Sequence, residues 1–339
     1  MSTIKRWLGR KPLALLLLGL LAGGGAYWAA SGSAADAAKT IFGYAGSGRA
    51  GIAVNLFVPD EVYVEPGDTV EWVNPYEEPH TLTFLVGDDG FEFDEVANVE
   101  AAAAFDGSES FSSGFIGKDA QFAVTFSKLG KYTFLCLLHQ GMVVDVFVVP
   151  AGTTVPPQGA NSPENTAIIE AAIATGEAAE AAVEVPAPAS LPDGSTNWTV
   201  VTGPGVPLPQ GSSVDVMKFF APNLSIAVGD TVTWKDETFV PHTVTFIPEE
   251  LPAEINPFVP EIPSQDFDGS DYVNSGIISA IPDFGAVTEF SLTFTKVGTY
   301  QYLCLLHADQ GMVGEIVVGS GAGSGPITPP STGDGGLIQ

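Results

Sequence analysis

Sulfur and imidazole are nearly missing from this chain: its 339 residues include only 2 Cys, 4 His and 4 Met. Two cysteines cannot build the disulfide framework of a small secreted scaffold or a four-thiolate zinc site. Basic residues are scarce too. Lys and Arg total 12 against 40 Asp and Glu, a formal net charge of −28. Such a surface repels nucleic acid and anionic lipid. It is compatible with a basic protein partner, a high-salt medium, or solubility alone. Gly (39) and Pro (26) are abundant in a chain that is 45% hydrophobic, which favours turn-rich β structure over a helical bundle. The length leaves room for two or three domains, each able to bury its own core.

The scarce residues are not scattered. Cys136-Leu137-Leu138-His139-Gln140-Gly141-Met142 recurs as Cys304-Leu305-Leu306-His307-Ala308-Asp309-Gln310-Gly311-Met312. A Pro-His-Thr precedes each, as Pro79-His80-Thr81 and Pro241-His242-Thr243. All four His, both Cys and two of the four Met fall in these motifs, a coincidence that core filling explains poorly. Two His, one Cys and a weak Met form the ligand set of a blue-copper electron-transfer site, and the chain carries that set twice. Imidazole suits cupric ion while thiolate and thioether suit cuprous ion, so the combination serves both oxidation states. A Cys136–Cys304 disulfide would consume both thiolates and leave the His and Met positions unexplained. Zinc is a poorer match, because Met is a weak zinc ligand.

In chain order, residues 1–38 read as an export segment. Lys5, Arg6, Arg10 and Lys11 precede the apolar run Leu13 to Leu21 and a string of small residues. The pattern fits a signal peptide cleaved near Ala35 or Ala37. It equally fits an uncleaved N-terminal anchor, membrane association then running through residues 12–35. Either reading makes the remainder extracytoplasmic: periplasmic, cell-surface or secreted. Residues 40–150 carry strand-length apolar runs, among them the alternating Ile52, Val54, Leu56 and Val58 and the segment Thr69 to Val73 after the turn signal Gly67-Asp68. The last run, Val143 to Val149, reads as a strand buried on both faces. Residues 151–197 form an Ala/Pro/Glu-rich linker whose middle fits a helix, with Ser162 as N-cap and Pro163 in the first turn.

Residues 198–319 repeat 40–150. The offset is 162 from Gly67/Gly229 through His80/His242 and 168 from Phe122/Phe290 through Cys136/Cys304, a net insertion of six residues between Ile278 and Phe290. A period of that size is a domain duplication, not a solenoid. Residues 320–339, rich in Gly, Ser and Pro, read as a disordered tail. The expected fold class is all-β: two tandem Greek-key β-sandwich domains joined by the linker.

Gly67-Asp68-Thr69-Val70, Pro79-His80, Tyr132 and Cys136-x2-His139-x2-Met142 in the first repeat resemble the cupredoxins. So do Gly229-Asp230-Thr231-Val232, Pro241-His242, Tyr300 and Cys304-x2-His307-x4-Met312 in the second. The second loop spacing is similar to plastocyanin and the first to amicyanin. The resemblance implies two type 1 coppers per chain. His80, Cys136 and His139 would be strong ligands with Met142 axial; His242, Cys304, His307 and Met312 would play the same parts. It also implies that the His of each Cys loop is the ligand nearest solvent. One departure stands out: those families carry Asn after the first ligand His, where this chain has Thr81 and Thr243. Beside the loop His, Leu137, Leu138, Leu305 and Leu306 are either a docking patch or inward-packed anchors. The acidic run Asp88 to Glu95 either steers a basic partner or is simply solvated.

Three function classes use these residues. An exported electron-transfer protein would relay electrons between redox partners, such as a basic cytochrome c-like protein or a membrane redox complex. A copper storage or buffering protein would use the same ligands. A multicopper oxidase or nitrite reductase needs further His, commonly His-x-His, and the chain has no His outside the two sets. The reading that results is a carrier without catalytic residues.

Overall fold

Strand formation follows the alternation of apolar residues. In Thr69–Val73, Val70 and Trp72 point inward; in its counterpart Thr231–Lys235, Val232 and Trp234 do. Each strand starts at a Gly-Asp turn. Gly67 and Gly229 take φ of +99° and +92°, values that Cβ-bearing residues avoid. Asp68 accepts the Lys39 and Glu65 amides, and Asp230 accepts those of Thr196 and Ala227. The structure, a computed structural model, describes residues 38–87, 102–209, 211–248, 255–282, 285–321 and 325–326. The leader before Ala38, the acidic run Asp88 to Glu95 and most of the tail lie outside the described residues.

The first repeat supplies β1 (Thr40–Arg49), β2 (Ile52–Val58), β3 (Glu61–Val64), β4 (Thr69–Val73), β5 (Thr83–Phe84), β6 (Phe111–Ser112), β7 (Gln121–Thr125), β8 (Gly130–Leu135) and β9 (Val143–Val148). After a helix, Pro163–Ala181, come β10 (Ala189–Ser190), β11 (Thr196–Thr202), β12 (Gly205–Pro207), β13 (Ser213–Val216), β14 (Phe219–Phe220), β15 (Asn223–Ala227) and β16 (Thr231–Lys235). β17 (Thr245–Phe246), β18 (Asp266–Phe267), β19 (Val273–Asn274), β20 (Glu289–Phe294), β21 (Gly298–Leu303), β22 (Val313–Gly319) and β23 (Gly325–Pro326) complete the order. Among the described residues the fold is all-β apart from this helix and short helical or turn segments, and each repeat is a two-sheet sandwich. In the first, the sheet β12-β13-β2-β1-β4-β7 packs on β3-β9-β8-β5-β6 around Trp72, Leu82, Phe105, Phe111, Phe126 and Phe134. In the second, β10-β11-β16-β20-β18 packs on β19-β17-β21-β22-β15-β23 around Trp234, Phe246, Phe267, Phe294 and Tyr302.

The two sandwiches are fused. The hairpin β12–β13 leaves the second repeat and extends the first repeat's sheet, β13 running antiparallel to β2 from Ser213↔Asn55 to Val216↔Ile52. The helix then covers this seam. Ser162 caps it by accepting the Asn165 amide at 3.2 Å. Its Ile169, Ala172 and Ile173 pack on Ile52, Val54, Leu56, Val58 and Val214. Gly176 allows the close approach, since a Cβ there would sit 2.6 Å from Ile52. The alternation of Ile52 to Val58 therefore serves the helix; Ala53 and Phe57 on the other face are buried as well. Each large aliphatic side chain buried here contributes about 1.5–3 kcal/mol.

Two expectations need correction. The Val143–Val148 strand is not buried on both faces: Val143 is exposed, and Phe147 points outward to stack on Tyr63 at 4.8 Å, because only one face meets the opposing sheet. Within the stretch read as a disordered tail, Gly325–Pro326 pairs with Leu224 and Ser225 as β23, Gly325 lying against the Trp198 ring. No helix among the described residues is long and apolar enough to cross a membrane.

Candidate metal centres

His80 is fixed by a two-way backbone bridge to Ile116 beyond the end of β4. Cys136 follows β8 and Met142 precedes β9. Cys136 donates its amide to Met142 O at 2.9 Å, and Met142 donates to His139 O at 3.1 Å, closing the loop. The ring nitrogens converge: His80 Nδ1 and His139 Nδ1 lie 3.1 Å apart, and Cys136 Sγ is 3.9 Å and 3.5 Å from them. Met142 is buried. The second repeat reproduces the arrangement. His242 Nδ1 and His307 Nδ1 are 3.1 Å apart, Cys304 Sγ is 4.0 Å and 3.4 Å from them, and Met312 is buried. The extra residues of this loop form a short turn, Ala308–Gln310. In each cluster the three donor atoms fall within 4.8 Å of one another, in a size and with a chemistry that fit one soft-to-borderline transition metal.

The threonines after the first His supply the loop support. Thr81 donates its amide to Cys136 Sγ at 3.3 Å, while its Oγ1 accepts from the Leu137 amide at 2.8 Å. Thr243 does the same for Cys304 at 3.4 Å and Leu305 at 2.8 Å. At each site a hydroxyl thus steadies the Cys loop directly. Burial opposes ionisation of Cys136, but hydrogen bonds to His139 and His80 outweigh it and hold the thiol well below its ordinary value. Burial likewise opposes ionisation of Cys304, and the charge of His307 with hydrogen bonds to both rings outweighs it. Both sulfurs are poised as thiolates, the form that binds metal.

The loop histidines do not face solvent, contrary to the family expectation. His307 is buried, and the His139 side chain is only 11% exposed. Their outer Nε2 edges turn to one carboxylate, Glu78. His139 Nε2 lies 3.2 Å from Glu78 Oε1, Gln310 Nε2 donates to Oε2, and His307 Nε2 stands at ion-pair distance from Oε2, 3.9 Å away. Glu78 is buried, and no Lys or Arg pairs with it among the described residues. Burial raises its pKa, but the hydrogen bond to His139 and the charge of His307 reverse that and hold it low. For His139, burial favours the neutral ring, and Cys136 and Glu78 reverse it upward. With Nε2–H donating to the carboxylate, Nδ1 is left free to coordinate, the familiar arrangement of a carboxylate orienting a metal-bound imidazole.

Sequence reasoning missed Glu78, which looks like one more acidic residue before Pro79. It also missed Gly46, where any Cβ would lie 2.0 Å from His80 Nε2, and Gly203, whose carbonyl lies 3.4 Å from His242 Nε2. The one signal available for Glu78 was a break in the repeat, since its counterpart 162 residues on is Val240. Of the four Leu beside the loop His, Leu138 is exposed, Leu306 packs on the second core, and Leu137 and Leu305 are half-buried.

The sequence profile of copper-binding proteins of the plastocyanin/azurin family matches residues 49–149 and again 208–319. A chloroplastic plastocyanin of Silene latifolia subsp. alba is 33% identical over 108 residues, which span 32% of this chain and 56% of that protein. Plastocyanin A/B of Petroselinum crispum is 29% identical over 108 residues, spanning 94% of that protein. Among solved structures, a reduced Cu(I) form of an amicyanin variant aligns with 40% of this chain and 97% of its own, at 25% identity and a TM-score of 0.23.

Proposed function

Since the chain belongs to the plastocyanin/azurin family of copper-binding proteins, we propose that it is an extracytoplasmic electron carrier with two type 1 copper sites per chain. His80, Cys136, His139 and Met142 hold one, and His242, Cys304, His307 and Met312 hold the other. The observation that carries this reading is the duplicated convergence of two imidazole Nδ1 atoms and one thiol within 4.8 Å. Copper bound there supplies a one-electron Cu(II)/Cu(I) couple. The protein's part is to keep the ligand geometry the same in both states. Two strand ends fix the Cys loop, Thr81 and Thr243 hold the thiolates from behind, and Ile116 and Ile278 pin the upstream histidines by backbone bridges. A pre-set site has little to rearrange when the electron arrives.

No residue in either cluster is left over for proton transfer or nucleophilic attack, which supports a carrier over an enzyme. The excess of acidic residues favours a basic redox protein as partner. The leader pattern favours export, with or without retention at the membrane. Titration of the purified chain with Cu(II), read by visible absorption and followed by ascorbate reduction and reoxidation, tests the reading. The expected result is two equivalents and an intense blue band that bleaches and returns. A colourless protein that takes up only Cu(I) would instead establish storage.

A further inference from the structure

Glu78 belongs to both centres. It sits in the first repeat, two residues before His80, yet its carboxylate reaches the loop histidine of each: Oε1 toward His139 Nε2 at 3.2 Å, Oε2 toward His307 Nε2 at 3.9 Å. Gln310, from the longer second loop, donates to Oε2 and fixes the carboxylate's orientation. The residue is not part of the duplicated pattern, since Val240 at the matching place packs with Ala53 and Met217. Burying a carboxylate without a Lys or Arg is costly unless other groups compensate it. Here the compensating groups are the two rings that the proposed function assigns to copper.

We propose that Glu78 makes the two centres one unit: electrons exchange between them within the chain along His139–Glu78–His307, and the shared carboxylate sets both potentials. The inference rests on the copper reading above. The step is a single electron passing from Cu(I) in one cluster to Cu(II) in the other; each Nε2 keeps its proton and no bond is made or broken. Two features of the fold support it. Both ring edges that would otherwise be exits to solvent are turned toward one carboxylate, which is hydrogen-bonded to His139 and at ion-pair distance from His307, and a filled path couples redox centres better than an empty gap. The carboxylate's negative charge favours Cu(II) in either cluster, so its removal raises both potentials.

The test uses the full copper-loaded chain, with Met312→Leu introduced to separate the two bands and potentials. A reducing pulse that delivers less than one electron per chain is followed by the relaxation of the bands. The expected result is a phase whose rate does not depend on protein concentration. Glu78→Gln should slow it at least tenfold and raise both potentials, while Gln310→Leu should slow it several-fold. Asp215→Asn removes another buried carboxylate, whose charge both loop histidines feel but which hydrogen-bonds Asn55 and neither ring; it separates a bonded route from charge alone and should leave the rate within about threefold. In the metal-free chain, nitrogen NMR should show a slowly exchanging Nε2 proton on His139 that Glu78→Gln loses. Blue bands with only concentration-dependent relaxation, or a rate that Glu78→Gln and Gln310→Leu leave unchanged, would overturn the inference. A chain that never turns blue fails at the earlier step and refutes the copper reading itself.

Discussion

The two repeats build the same cluster with different surroundings. In the first, Gly46 leaves His80 Nε2 a close, unbonded fit, and that nitrogen has no partner among the described residues. In the second, His242 Nε2 faces the Gly203 carbonyl. Asn74, buried in the first repeat, donates to Glu78 O and Ile116 O and so holds the two segments that frame His80. Its counterpart Asp236, equally buried, accepts from Thr238 and leaves one oxygen unpaired. Only the first repeat owns Glu78, and only the second has the longer Cys loop that brings Gln310 to it. Duplication preserved the ligand positions, while the surroundings diverged toward a shared junction.

That contrast can be broken at several depths. The largest effect is expected from the thiolates. Cys136→Ser and Cys304→Ser should each abolish one of the two copper equivalents and its share of the blue absorption, with the other site intact; metal analysis with visible spectra checks this. Next, Gly46→Ala should destabilise the protein by about 2–3 kcal/mol through overpacking and weaken copper at the first site alone. Gly203→Ala should instead disturb the junction, because a Cβ there meets the Val216 carbonyl at 1.8 Å. Urea unfolding and copper titration separate the two outcomes.

Thr81→Ala and Thr243→Ala should each cost about 1 kcal/mol, the price of leaving a half-buried Leu amide without its acceptor, and the two costs should match because the contacts do. The smallest effect concerns Asp236→Asn, which gives the second repeat the first repeat's residue. Burial raises the Asp236 pKa. Its contribution to stability is therefore full below the ordinary aspartate value and is lost as pH rises through the raised one. The Asn variant should gain on the parent as pH climbs above about 4, reaching about 0.5–1 kcal/mol at neutral pH, measured by unfolding at pH 4 and pH 7.

The His-Cys-His clusters were legible because their residues are rare and recur: Cys, His and Met fall within seven or nine positions of each other, and the same set appears twice in the same order. The all-β class was legible from alternation at Val70 and Trp72 and from their copies at Val232 and Trp234. The junction was not, because it depends on tertiary pairing that leaves no local mark. The alternation in Ile52 to Val58 predicts a half-buried strand, and nothing in it reveals that β13 and a helix from beyond the first repeat will cover it. Glu78 was hidden for a related reason. A buried carboxylate has the same letter as the solvated ones around it, and only the meeting of His139 with His307 gives it a role. The inward turn of those rings also escaped family resemblance, since a single cupredoxin domain has no second site to face.

Anomalous X-ray diffraction at the copper edge, from crystals of the copper-loaded chain, tests the central claim most directly. The account requires two peaks. One should be bounded by His80, Cys136, His139 and Met142, the other by His242, Cys304, His307 and Met312, with the Glu78 carboxylate between the two loop histidines and bound to neither metal. A single peak, or a peak on Glu78 itself, would contradict it.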